Sequence, residues 1–65
     1  MVLTVNGERR DVSADRVPAL LDELGYEGAF FAVAVNRALV RRPAWPDTVL
    51  AEGDEVEILT PRQGG

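Results

Sequence analysis

Val17, Leu20, Leu21 and Leu24 stand at positions i, i+3, i+4 and i+7, the spacing that gives a helix a single apolar stripe. Arg16, Asp22 and Glu23 fall on the side left to water, and Gly25 follows as a left-handed stop. A helix this short is not stable alone, since isolated helices below ~12–15 residues are marginal in water. Its one apolar face therefore requires a sheet to cover it. Ser13 and Asp15 precede the stripe as candidate N-caps, and Pro18 falls in the first turn, where its missing N–H does no harm.

The rest of the chain supplies strands. In "MVLTVNGERRDV" apolar residues alternate at Met1, Leu3 and Val5, then Asn6-Gly7 separates them from a second extended run to Val12. Asn-Gly between extended runs predicts a hairpin, because both central residues of a type I′ turn need positive φ. "AFFAVAVN" is an apolar run of strand length and predicts a central strand. Its alternation puts Phe31, Val33 and Val35 under the helix and Phe30, Ala32 and Ala34 on the open side, where small residues would let another protein approach. Asn36 to Ala38 then reads as a turn into a short extended "LV". A Pro-bounded loop, "RRPAWP", sets Trp45 over a core edge, with Arg41 and Arg42 on a solvated face or available to steer an acidic partner. "EGD" turns into "EVEIL", where Val56 and Ile58 point inward and Glu55, Glu57 and Leu59 outward. Leu59 would extend the alanine face into an apolar contact patch.

The order strand, strand, helix, strand, short extended piece, strand specifies an α+β domain, with one main helix packed on one face of a small mixed sheet. The economical arrangement lays the last strand beside the first at the sheet centre, parallel to it, through a right-handed crossover. Residues 1–59 form the domain and 60–65 a flexible tail.

Composition narrows the chemistry. The 65 residues include no cysteine and no histidine, so the usual zinc sites and Cys/His or Ser/His nucleophile pairs cannot be assembled. No catalytic residue, metal ligand or bound cofactor is assigned. A domain of this length buries only roughly 60% of the surface its unfolded chain exposes, which leaves little room for a deep active site. The formal charge of -4 argues against nucleic acid, whose affinity depends on clustered Lys and Arg. With no apolar run approaching the ~20 residues of a membrane span, the chain is expected in the cytoplasm.

After Leu59 the alternation stops, and "TPRQGG" offers nothing to pack. From Arg62 to Gly65 an extended tail reaches roughly 13 Å. The last two residues lack Cβ, so Arg62, Gln63 and Gly64 could thread a narrow channel and deliver the Gly65 carboxyl into a partner's active site.

These features together resemble the ubiquitin-like β-grasp sulfur carriers, in particular the branch serving thiazole synthesis in the thiamine pathway. The resemblance spans nearly the whole chain: "VNGE" in the first hairpin, "LL" and "LG" around the helix, "VAVN", "LV" followed by "R" and "W", "EGDEVEIL", and the terminal "GG". Two departures lie in turns or loops. "NRALV" stands where the family often has glycine after the asparagine, and "RRPAW" where a proline often precedes a single arginine. The resemblance implies a β-grasp fold and a carrier role in which Gly65 is the modified residue. An adenylating enzyme (ThiF-like) would join the Gly65 carboxylate to the α-phosphate of ATP, and a sulfur donor protein would then displace AMP. The resulting thiocarboxylate would give its sulfur to a thiazole synthase (ThiG-like). The chain would thus be a cosubstrate and not an enzyme, with Phe30, Ala32, Ala34 and Leu59 as the partner-binding face. Arg62 would pair with a partner carboxylate or the adenylate phosphate, or remain solvated.

Three alternatives stay open. A carrier of the same class could serve molybdopterin or cysteine synthesis by the same tail chemistry. A ubiquitin-like modifier would pass Gly65 to lysines of target proteins, although this chain has no lysine on which to build polymers of itself. A plain β-grasp interaction module would have no need of a free Gly-Gly.

Overall fold

The computed structural model describes residues 1–26 and 32–60. Five strands, β1 (Val2–Val5), β2 (Glu8–Asp11), β3 (Ala32–Val35), β4 (Ala38–Val40) and β5 (Glu55–Leu59), form one sheet in the order β2-β1-β5-β3-β4. The last strand lies at the centre. It runs parallel to β1 and antiparallel to β3, and the two hairpins β1–β2 and β3–β4 are the wings. The parallel pairing of first and last strands follows the sequence reading. It also sets the inward residue Val56 between Val5 of β1 and Val35 of β3.

Asn6 and Gly7 make the first turn with φ of 50° and 84°, the positive-φ pair that a type I′ hairpin requires. The register Val5↔Glu8 leaves two residues at the tip. The second hairpin repeats this with Asn36 and Arg37 at φ 52° and 71°, and register Val35↔Ala38.

Helix α1 (Val17–Leu24) packs its stripe on the sheet: Val17, Leu20 and Leu21 are buried and Leu24 partly so. They meet Leu3, Val5, Val33, Val56 and Ile58 from the strands. Leu3, Leu20, Val17, Val33 and Val56 are the largest fully buried side chains, and no polar residue is buried among the described residues. Gly25 ends the helix in the left-handed conformation at φ 84°, its N–H bonding back to Asp22 and Leu21 carbonyls.

The helix start departs from expectation. Neither Ser13 nor Asp15 caps it: the N-cap is Arg16, in an extended conformation without a side-chain cap bond. The cause is that Val12 and Ala14 are drawn into the core, which keeps Ser13 and Asp15 away from the helix start. Arg16 bridges Val49, and the Asp15 carbonyl accepts the Leu50 N–H at 2.9 Å. The Asp15 carboxylate faces the Arg16 guanidinium at 3.0 Å instead. Glu23, near the other end of the helix, reaches back to accept the N–H groups of Ser13 and Ala14 at 3.0–3.1 Å and so ties down the segment that leads into it.

"RRPAWP" is also more ordered than a loop. Arg42–Asp47 forms a 3₁₀ helix that buries Trp45, whose indole N–H donates to the Val40 carbonyl at 2.9 Å. Trp45 closes the core edge as expected, and Arg42 lies 5.2 Å over its ring, within the range of a cation–π contact. Among the described residues no helix is long and apolar enough to cross a membrane.

Candidate functional site

The helix covers one face of the sheet; the other is open. Strand alternation decides what that open face displays. Along β5 the pattern is strict, with Val56 and Ile58 buried and Glu55, Glu57 and Leu59 exposed. The register then groups side chains across strands. Leu59 lies opposite Ala32, and Ala34 lies between Glu57 on one side and Leu39 on the other. Directly opposed residues share a face and touch, so Ala32, Ala34, Leu39 and Leu59 form an apolar surface on the β5-β3-β4 half of the sheet. Leu39 and Leu59 are 70% and 58% exposed, and Ala32 is exposed too. The two alanines make the floor and the two leucines the raised ends, a shape that admits a partner's side chains close to the sheet.

The β2-β1 half of the same face is different. There Thr4 lies between Arg9 and Glu55, and β2 is exposed throughout with the sequence ERRD. The open face is thus divided into a charged half and an apolar half, with β5 at the boundary.

The structure brings Ala32, Ala34 and Leu59 together as the alternation predicts. Phe30, Arg62, Gln63, Gly64 and Gly65 lie outside the described residues, as does Phe31. Leu39 was absent from the sequence reading of this surface, although the signal was available: a two-residue turn at Asn36-Arg37 forces Leu39 onto the face of Ala34.

On the helix side of the first hairpin, an open cleft of about 340 Å³ is lined by Val5, Asn6, Glu8, Arg10, Leu24, Gly25 and Tyr26. Its two amphipathic groups face each other, the Asn6 carboxamide N–H lying 3.4 Å from the Tyr26 hydroxyl oxygen. Among the described residues that line it, none pairs a nucleophile with a base.

The ThiS family model matches residues 3–65. The chain belongs to the ThiS family. That family consists of sulfur carrier proteins rather than catalysts. The sulfur carrier protein ThiS of Thermus thermophilus is 34% identical over 94% of this chain and 95% of its own length. A thiazole synthase of Paramagnetospirillum magneticum is 38% identical over the whole chain, which spans only 20% of that longer protein. Among solved structures, the crystal structure of the thiamine biosynthesis protein ThiS from Geobacter metallireducens matches with a TM-score of 0.84 at 36% identity, over the full length of both chains. The ubiquitin-like β-grasp fold is therefore shared with that protein.

Proposed function

We propose that this ThiS-family protein carries sulfur for the thiazole ring of thiamine as a thiocarboxylate on Gly65. The observation that carries the reading is the family match, which extends to residue 65 and so includes Gly64 and Gly65.

The chemistry follows from the chain end. An α-carboxyl is ionised at neutral pH, and a carboxylate is a poor electrophile. Attack of a carboxylate oxygen on the α-phosphate of ATP expels pyrophosphate and leaves an acyl adenylate. The terminal sulfur of a persulfide on the donor protein then attacks the acyl carbon, and AMP departs with one oxygen of the original carboxylate. A second thiol cleaves the S–S bond of the resulting acyl disulfide, leaving with the donor as a disulfide and freeing the thiocarboxylate on Gly65. The adenylating enzyme supplies the ATP site; this chain supplies a substrate carboxyl on a thin stem of Arg62, Gln63 and Gly64. The occurrence of a sequence like this one within a longer protein named thiazole synthase supports a thiazole synthase as the acceptor.

The apolar half of the open face, Ala32, Ala34, Leu39 and Leu59, is the docking surface in this reading, with Phe30 its further sequence-derived member. One of its residues, Leu59, ends β5, the strand that precedes the tail in the sequence. Docking there holds the root of the tail while its end enters the partner.

The test is intact mass after incubation with ATP, a sulfur source and the adenylating enzyme. The expected result is a gain equal to exchanging one oxygen for sulfur, absent in a Gly65-deleted chain whose thermal unfolding is unchanged. No mass change with an enzyme that is competent on another carrier would refute the reading, and transfer of the chain to lysines of other proteins would favour a modifier.

A further inference from the structure

The central strand is held at both ends by asparagine side chains that belong to the two hairpin turns. At its start, Asn36 accepts the Glu55 N–H on Oδ1 at 3.0 Å, donates its own backbone N–H to the Glu55 carbonyl at 2.7 Å, and donates from Nδ2 to Asp54 Oδ1 at 3.1 Å. At its end, Asn6 accepts the Ile58 N–H on Oδ1 at 2.8 Å and donates from Nδ2 to the Ile58 carbonyl at 3.2 Å.

The second clamp completes an interrupted ladder. Thr4 N–H donates to the Asp54 carbonyl and Asn6 N–H to the Val56 carbonyl, both at 2.9 Å, the two-residue stepping of a parallel pair. One step further, β1 has already turned away into its hairpin at Asn6 and Gly7. The carboxamide of Asn6 takes over, presenting an acceptor and a donor to Ile58 where a straight strand would present its backbone. Without it, β5 beyond Val56 would be held on one side only, by β3 through Val33↔Ile58 and Ala32↔Leu59. Ile58 is the last core residue before Leu59 and Thr60 lead to the tail.

We infer that Asn6 is a positioning residue: its carboxamide fixes the point at which the tail leaves the sheet, and so sets how far the Gly65 carboxyl reaches from the docking face. This rests on the carrier reading above. Releasing Ile58 and Leu59 would add slack at the root, and a longer, looser tether lowers the effective concentration of its end at a fixed target. The two asparagines thereby provide their own control, since both bind β5 from a turn but only Asn6 sits at the tail root.

The experiment compares Asn6→Gly and Asn36→Gly in the full chain. Glycine accepts the positive φ at both positions, so each variant loses the carboxamide and keeps the turn. Hydrogen exchange and steady-state adenylation, followed as pyrophosphate release, are measured on both. Asn6→Gly should speed exchange of the Ile58 amide at least tenfold and lower kcat at least fivefold, with KM for the carrier within twofold because Ala32, Ala34 and Leu39, on β3 and β4, keep their part of the docking face. Asn36→Gly should leave Ile58 exchange and kcat within twofold of wild type. Equal losses of kcat in the two variants, or unchanged kcat in Asn6→Gly, would overturn the inference. A wild-type chain that is not adenylated at all would instead overturn the carrier reading, and this role with it.

Discussion

The hairpin of β1 and β2 and the hairpin of β3 and β4 both turn through an asparagine in the left-handed region, and both set that asparagine against β5. They differ at the next residue. The first has Gly7 at φ 84°, the second Arg37 at φ 71°. They differ also in the outer strand, which is ERRD in one and ALV in the other. The turn geometry is thus common property, required by the twist of the strands, whereas the second turn residue and the outer strand are free to vary. The variation has been used to make one wing of the sheet water-loving and the other adhesive.

The strongest way to break this comparison is at the tips. A Cβ added to Gly7 would meet nothing within 4 Å, so the cost of Gly7→Val is backbone strain alone. It should destabilise by about 2 kcal/mol, the upper end for a side chain in the left-handed region, measured by urea denaturation. A neutral Gly7→Val would show that the first turn is not held at positive φ. Next in size is the adhesive wing. Leu39→Arg should weaken binding to the adenylating enzyme about tenfold, or ~1.4 kcal/mol, with no change in Tm because Leu39 is exposed; titration calorimetry measures this. Arg9→Ala on the other wing should alter both binding and stability by less than about 0.5 kcal/mol. Equal effects from the two wings would erase the division of the face. A stabilising change sharpens the turn comparison: Arg37→Gly should stabilise by roughly 0.5–1 kcal/mol, the relief of left-handed strain less the added freedom of the unfolded chain. A loss of stability would mean that the Arg37 side chain makes a compensating contact.

Where local rules govern, the sequence was legible. Asn6-Gly7, the stripe from Val17 to Leu24, the Gly25 cap and the alternation of β5 each follow from neighbours within a few residues, and each appears as read. The open alanine face was legible for the same reason. What was not legible depends on partners far along the chain. Ser13 and Asp15 have the right chemistry for a cap, but burial of Val12 and Ala14 and pairing with the 49–50 segment took their backbone elsewhere. Trp45 was placed over the core, yet the 3₁₀ helix that carries it was not foreseen from its two prolines. Asn6 was read as a turn residue only. Its bonds to Ile58 span 52 residues, and no local pattern announces them. The tail chemistry came from resemblance to a family, since a Gly-Gly pair by itself is compatible with many roles.

The parallel pairing of β1 with β5 has a consequence for how the molecule is made. Thr4 and Val5 find their inner neighbours at Glu55 and Val56, so the sheet cannot be joined until almost the whole domain has left the ribosome. Non-local pairings of this kind slow folding, because the chain must be closed over a long loop before the contact stabilises it. A nascent chain that lacks β5 consists of two separate hairpins and a helix with half its cover missing. The strand that completes the core is the strand that precedes the tail in the sequence, so, in the carrier role proposed above, an unfinished copy lacks both Leu59 of the docking face and the carboxyl that would be activated.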